Sequence, residues 1–207
     1  MTKEIRLNAF DMNCVGHIQH GMWTHPRDHS TEYNTIEYWQ DLARLAERGK
    51  LDGIFLADIV GVYDVYRSGP APSIVDAVQI PVNDPMMVVP VMAAVTEHIG
   101  FGVTANLTYE PPYLFARRMS TLDHLTRGRV GWNIVTGYLD SAARGMGWPP
   151  SPTTTGGTTL PTNTCRSSTS CGRRAGRTVP CCATNPTAFS PIPPKSIACG
   201  IRADTTR

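Results

Sequence analysis

The 207-residue chain is 41% hydrophobic, enough for a buried core, and has a formal net charge of +2. No apolar run approaches the roughly 18 residues that cross a bilayer, and the N-terminus MTKEIRLNAF lacks the apolar core of a signal peptide, so a cytoplasmic protein is expected. The average charge hides a break near position 148. Residues 1–147 hold 12 basic and 16 acidic side chains, whereas 148–207 hold 7 and 1. The first part is therefore mildly acidic, with no Lys/Arg cluster interleaved with aromatics, which argues against a nucleic-acid surface. Five of the six cysteines (Cys165, Cys171, Cys181, Cys182, Cys199) fall in the second part, with no C-x-x-C and no His among them, which argues against a disulfide framework or a structural metal.

In chain order, Ile5 to Phe10 reads as a short strand followed by a polar, His-rich loop. Asn34 with Glu37 forms a capping box for a helix in which Trp39, Leu42, Ala43 and Ala46 recur at helical spacing until Gly49. Gly53 to Asp58 is a buried strand. Asp84 caps a second helix with Pro85 at its first position, running through Met92 to about His98. Gly100 to Leu107 is the third strand. Pro112 opens a third helix through Arg117, Met119 and Leu122, ended by Gly128, and Arg129 to Thr136 is the fourth strand.

Four apolar strands separated by helices predict parallel β/α units, either an open doubly wound sheet or part of a (β/α)8 barrel. No G-x-G-x-x-G follows the first strand and no G-x-x-x-x-G-K-[ST] occurs, against a dinucleotide-binding sheet. The barrel is favoured by the strand ends. Barrel chemistry gathers at the carboxyl ends, and those ends carry Cys14 and His17, then Asp58, then Thr104 and Asn106, then Asn133 and Thr136.

The strings NAFDMNCVGHIQHGMWTHPRD, FLADIVGVYDVYR, AVQIPVNDP and TYEPPYLFARRMSTLDHLTRGRVGWNIVT closely resemble the bacterial-luciferase-like flavin monooxygenases. Within them the chain is similar to the branch of nitrilotriacetate monooxygenase component A, dibenzothiophene-sulfone monooxygenase and long-chain alkane monooxygenase, most of all the last. The resemblance covers residues 1–147 and implies the N-terminal half of a luciferase-like (β/α)8 TIM barrel. It further implies a two-component oxidoreductase. A separate NAD(P)H-dependent flavin reductase supplies reduced FMN, and one oxygen atom of O2 passes to a small xenobiotic or alkane-like substrate. The full-length form is expected to be a homo-oligomer, without metal, nucleic acid or membrane.

Asp58 and Thr104 match FMN-contacting positions of that family, and Asn106, Asn133 and Thr136 are further cofactor-side candidates at the same strand ends. Cys14, His17, Tyr63 and Gln79 match substrate-side or catalytic positions. Tyr138 stands where the alkane enzyme has a His, which weakens the case for the same substrate. Blander readings stand beside these: Cys14 as buried filler, His17, His20 and His25 as loop histidines, Asp58 as a turn former, Arg117 and Arg118 with Asp123 as surface ion pairs, and Met86, Met87 and Met92 as core.

From Trp148 onward neither strand nor helix periodicity appears, and a Thr/Pro-rich, disordered tail is expected. A family-like peptide YDAADEYM, written TAC GAC GCT GCC GAC GAA TAC ATG C and read one base late, gives Thr158 to Cys165. PVVYKLWE, written CCG GTC GTC TAC AAG CTG TGG GAG G and shifted likewise, gives Arg166 to Arg173. The tail is therefore read as frameshifted, and the chain as inactive. The alternatives are a non-catalytic fragment, or a flavin- or deazaflavin-dependent oxidoreductase on the same barrel that transfers hydride without O2.

Overall fold

A computed structural model of the chain describes residues 5–17 and 21–148. Most of the tail predicted to be disordered and frameshifted, 149–207, lies outside the described residues, as does His20. Strands β1 (Asn8–Met12), β2 (Gly53–Ala57), β3 (Gly100–Asn106) and β4 (Val130–Val135) form one all-parallel sheet in that order. Parallel neighbours cannot be joined by hairpins, so helical segments cross over between them: α1 (Ile36–Arg48), α2 (Ala71–Val75), α3 (Val89–Ala93) and α4 (Pro112–Leu125), with α5 (Asp140–Gly145) following β4.

The two-residue period of the strands sorts the side chains onto two faces. One register row runs Ala9, Ile54, Phe101, Val130 and the next on that face runs Asp11, Leu56, Val103, Trp132. Ile54, Leu56, Phe101 and Val103 are buried there against Trp39, Ala43 and Ala46 of α1, Val89 and Met92 of α3, and Phe115 and Leu122 of α4. The opposite face carries Phe10, Phe55, Gly102 and Gly131 in one row. Phe10 stacks on Phe55 with ring centroids 5.4 Å apart, yet stays 56% exposed, so this face is apolar and open among the described residues.

Four sequence expectations are corrected. β1 begins three residues later than predicted and ends two later, the Asp52 carboxylate taking the Leu7 amide (2.8 Å) and the Arg6 guanidinium (2.8 Å) while the Leu7 carbonyl still accepts from the Asp52 amide. The cap of α1 is Thr35, whose Oγ1 accepts from the Tyr38 amide, so Glu37 is not three residues past the cap and the predicted box does not form. Asp84 does cap at Met86, but the predicted long helix is broken into a 3-10 turn, Pro85–Met87, and the short α3. Pro90 has no amide to continue the ladder. Met87 is 59% exposed while Met86 and Met92 are core as expected.

The amino ends of the strands are tied together by polar groups with full sets of partners. Arg129, just before β4, donates from Nε to the Thr126 carbonyl, from Nη1 to Thr96 Oγ1 and the Ile99 carbonyl, and from Nη2 to the carbonyls of Ala93 and Thr96, at 2.9 to 3.1 Å. The Glu47 carboxylate at the end of α1 accepts from the amides of Glu97, His98 and Ile99, which lead into β3.

Candidate active site

A cavity of about 440 Å³ opens at the carboxyl ends of β2 and β3. Asp58, Thr104 and Asn106 all line it, so the three strand-end residues predicted to act together do meet. Much of the remaining wall is apolar, including Ile59, Val60, Val82, Met86, Leu114 and Met146. Asp58 follows β2 directly, and burial first, then the negative charge of Asp84, push its carboxyl up to about 6, partly offset by the Ile59 amide. Thr104 is 3% exposed, and its Oγ1 accepts from Asn133 Nδ2 at 2.9 Å. The Thr104 hydroxyl proton is thereby turned away from Asn133, which contributes through Thr104 and does not itself line the cavity. Asn106 Oδ1 is engaged by the Thr108 amide at 2.7 Å and so also shapes the turn. Thr136 is exposed and does not line the cavity.

Asp84, Glu110 and Arg118 are cavity residues that sequence reasoning did not select. Arg118 pairs with Glu110 and lies 3.5 Å from Asp84, so its predicted pairing with Asp123 is replaced by one across the cavity. The Asp84 carbonyl accepts from Asn13 Nδ2 at 3.1 Å, joining the loop after β1 to the cavity. Asn13 Oδ1 and Arg118 Nε are buried without a hydrogen-bond partner. The only signal for Asp84 was its capping position, which says nothing of its field on Asp58.

The remaining candidates form two further groups. Gln79 is 7% exposed, sits in a left-handed conformation (φ 54°), and its amide Nε2 contacts His17 Nδ1. The His17 ring packs 5.2 Å from Phe10, and burial holds its pKa below the ordinary value, so the imidazole is neutral at neutral pH. Cys14 is 1% exposed, donates from Sγ to the Gly16 carbonyl at 3.3 Å, and burial pushes its thiol up, so it is a neutral thiol and not a thiolate nucleophile. Tyr63 Oη lies 3.2 Å from Tyr138 Oη. Among the described residues no three His, Cys, Asp or Glu side chains are grouped as a metal site.

Strand-end polar groups on a parallel sheet, over an apolar-walled cavity, are the arrangement of a (β/α)8 enzyme face. Residues 18–155 match the family described as luciferase-like monooxygenase. The chain belongs to that family. Over 147 residues it is 57% identical to the long-chain alkane monooxygenase of Geobacillus thermodenitrificans (strain NG80-2) and 58% identical to the dimethyl-sulfide monooxygenase of Hyphomicrobium sulfonivorans. Each match covers 71% of this chain, but 33% and 31% of those proteins. The crystal structure of a long-chain alkane monooxygenase superposes with a TM-score of 0.78 at 50% identity, over 81% of this chain and 39% of that one. The chain thus spans about a third of the length of the curated relatives it matches. Its four β/α units correspond to the N-terminal part of the luciferase-like barrel.

Proposed function

We propose that the chain is the N-terminal part of a cytoplasmic, two-component monooxygenase that uses FMN, reduced by a separate NAD(P)H-dependent flavin reductase, and O2 to oxygenate a small xenobiotic or alkane-like molecule. The full-length form is a homo-oligomer. The observation that carries this reading is the single cavity shared by Asp58, Thr104 and Asn106. Its chemistry fits a flavin: an apolar wall for a flat ring system and, at one edge, a carboxyl and a hydroxyl able to meet the ring's polar edge or the ribityl chain. When bound, reduced FMN supplies the electrons that activate O2, one oxygen atom going to substrate and the other to water.

The chain's own groups bind, orient and shield. Thr104, fixed by Asn133, donates its hydroxyl proton into the cavity. Asp58 accepts a hydrogen bond as a carboxylate above about pH 6 and donates one when protonated below it. The Cys14 thiol commits its proton to the Gly16 carbonyl and so fixes the loop after β1, where neutral His17, engaged at Nδ1 by Gln79, adds no charge. The apolar wall excludes water that would otherwise consume the activated oxygen.

Among the described residues the sheet ends at β1 and β4, and the face bearing Phe10 is open. FMN fluorescence quenching tests the reading: weak quenching that Thr104→Val and Asp58→Ala abolish supports it, and equal quenching by all three chains removes it. A one-base frameshift after about Gly147 accounts for the tail, and resequencing codons 140–165 decides it, since an intact frame there refutes it.

A further inference from the structure

Among the side chains that line the cavity are three acids, Asp58, Asp84 and Glu110, and one base, Arg118. Arg118 stands on α4 and divides its guanidinium between two of the acids: Nη2 pairs with Glu110, and Nη1 lies 3.5 Å from Asp84 Oδ2. The other ties on Asp84 are uncharged. Its Oδ1 accepts from the Met86 amide at 2.8 Å, its carbonyl accepts from Asn13 Nδ2 at 3.1 Å, and the neighbouring Asn83 amide donates to the Asn13 carbonyl at 2.8 Å. The backbone at 83 and 84 is thereby fixed, and the cation on the carboxylate is Arg118.

Asp58 is the acid that Arg118 does not hold. It faces the charge of Asp84, with the Ile59 amide as a partial offset. The other titratable groups around it are the Cys14 thiol on the loop after β1, and Tyr109, Glu110 and Arg118 along the cavity wall. A guanidinium placed only to staple α4 would have no need to strand a donor, yet Arg118 Nε is buried without a hydrogen-bond partner, at a cost to stability. Costs of that kind gather where a group serves a site.

We propose that Arg118 is a positioning residue for Asp58: by drawing the Asp84 carboxylate toward α4 it sets the charge that Asp58 faces, and so whether Asp58 meets a bound ligand as a hydrogen-bond acceptor or as a donor. This deepens the flavin reading and rests on it for its meaning, but its test needs neither flavin nor turnover. With Arg118 removed, the Asp84 charge is no longer shared, the ionised form of Asp58 is harder to hold, and its titration moves to higher pH.

The 207-residue chain is labelled at aspartate Cγ with carbon-13, and the Asp58 signal is assigned from Asp58→Asn. At pH 7 the protonated fraction of Asp58 rises about threefold in Arg118→Met, which keeps much of the bulk, and Arg118→Lys, which keeps the charge, restores most of the wild-type value. The effect is no larger because Arg118 and Asp84 are 42% and 44% exposed and water screens their pair. Asp84→Asn, still able to cap, lowers the protonated fraction about threefold, and adding Arg118→Met to it changes nothing further. An unchanged Asp58 titration in Arg118→Met overturns the positioning role. So does an Arg118→Met effect that persists in full beside Asp84→Asn, since the guanidinium would then act on Asp58 directly. Where Arg118→Met loses the native amide spectrum, Arg118→Gln, which keeps hydrogen bonds to the acids but not the charge, is read by the same two outcomes. Failure to bind FMN would count against the flavin reading alone and leave these titrations intact.

Discussion

At the amino ends of β3 and β4 Arg129 spends its guanidinium on four backbone carbonyls and a threonine hydroxyl, while at the carboxyl ends Asp58 faces Asp84 and is pushed up to about 6. Glu47, also at the amino ends, is raised by burial but lowered more by three amide donors, ending below the ordinary carboxylate range. At the other end Asn13 Oδ1 and Arg118 Nε are buried without partners. Polar groups at the amino ends are matched to the backbone, and those at the carboxyl ends are left in mutual conflict or with capacity to spare. Such a division is the one expected where one end of a barrel secures the fold and the other meets ligand.

The comparison is broken most directly at Arg129. Replacing it by Ala strands several carbonyls at once, so a loss of about 3 kcal/mol is expected from urea unfolding midpoints. Arg129→Lys keeps charge but not the planar fork, and is expected to recover less than half of that. A loss below about 1 kcal/mol for Arg129→Ala would show that the amino ends are not where stability is concentrated.

Asp58 is the opposite case. Its folded pKa lies above its ordinary value of 3.8, so the folded chain binds the extra proton and stability rises as pH falls from about 7 to about 4. Asp58→Asn removes the buried charge. It is expected to stabilise by about 2 kcal/mol at pH 8, with the advantage gone near pH 4, while weakening FMN quenching. Destabilisation at pH 8 would mean that Asp58 is matched to its surroundings after all.

How far these ends were legible in the sequence depended on how local their causes are. Buried parallel strands are short apolar runs bounded by breakers, so β2, β3 and β4 were found within two residues at each end. The barrel rule then put Asp58, Thr104 and Asn106 together, and they share one cavity. What was missed depends on contacts between distant residues or on elements too short for periodicity to register. The helices α2 and α5 have five and six residues. Asp52 takes the Leu7 amide across 45 residues, and Gln79 reaches His17 across 62 residues. The family resemblance supplied Gln79 as a candidate, but nothing in its spacing gave the partner. Tyr138 was noted only as a departure, and its contact with Tyr63 spans 75 residues.

Glu47 sharpens the comparison at smaller scale. Its folded pKa lies below the ordinary value, so its contribution is present at neutral pH and is lost as pH falls through that lowered value. Because the carboxylate is partly solvated, Glu47→Gln is expected to cost only about 1 kcal/mol at pH 7. The difference from wild type should close at acid pH, where Asp58→Asn loses its advantage too. Two variants whose effects fade in the same direction but carry opposite signs would separate matched from mismatched carboxylates in one pH series.

The smallest effect is expected where the loops after β2 and β4 are clasped together, by Ser141 on Val62 and by Arg144 on Asp64. Arg144 is 54% exposed and Asp64 19%, so their pair is screened and worth about 0.5 kcal/mol or less, and Arg144→Ala should barely move the unfolding midpoint at physiological salt. Its local effect is different in kind. Arg144 anchors one side of the tyrosine pair and Ser141 the other, so losing the outer rung frees Asp64 while the Val62 amide keeps its bond to Ser141. Hydrogen exchange is then expected to quicken at Asp64 and Val65 but not at Val62, whereas Ser141→Ala should quicken Val62 first. Equal acceleration along 61–65 in both variants would mean that the clasp opens as one cooperative unit, and that the carboxyl ends are less locally divided than the contrast with Arg129 implies.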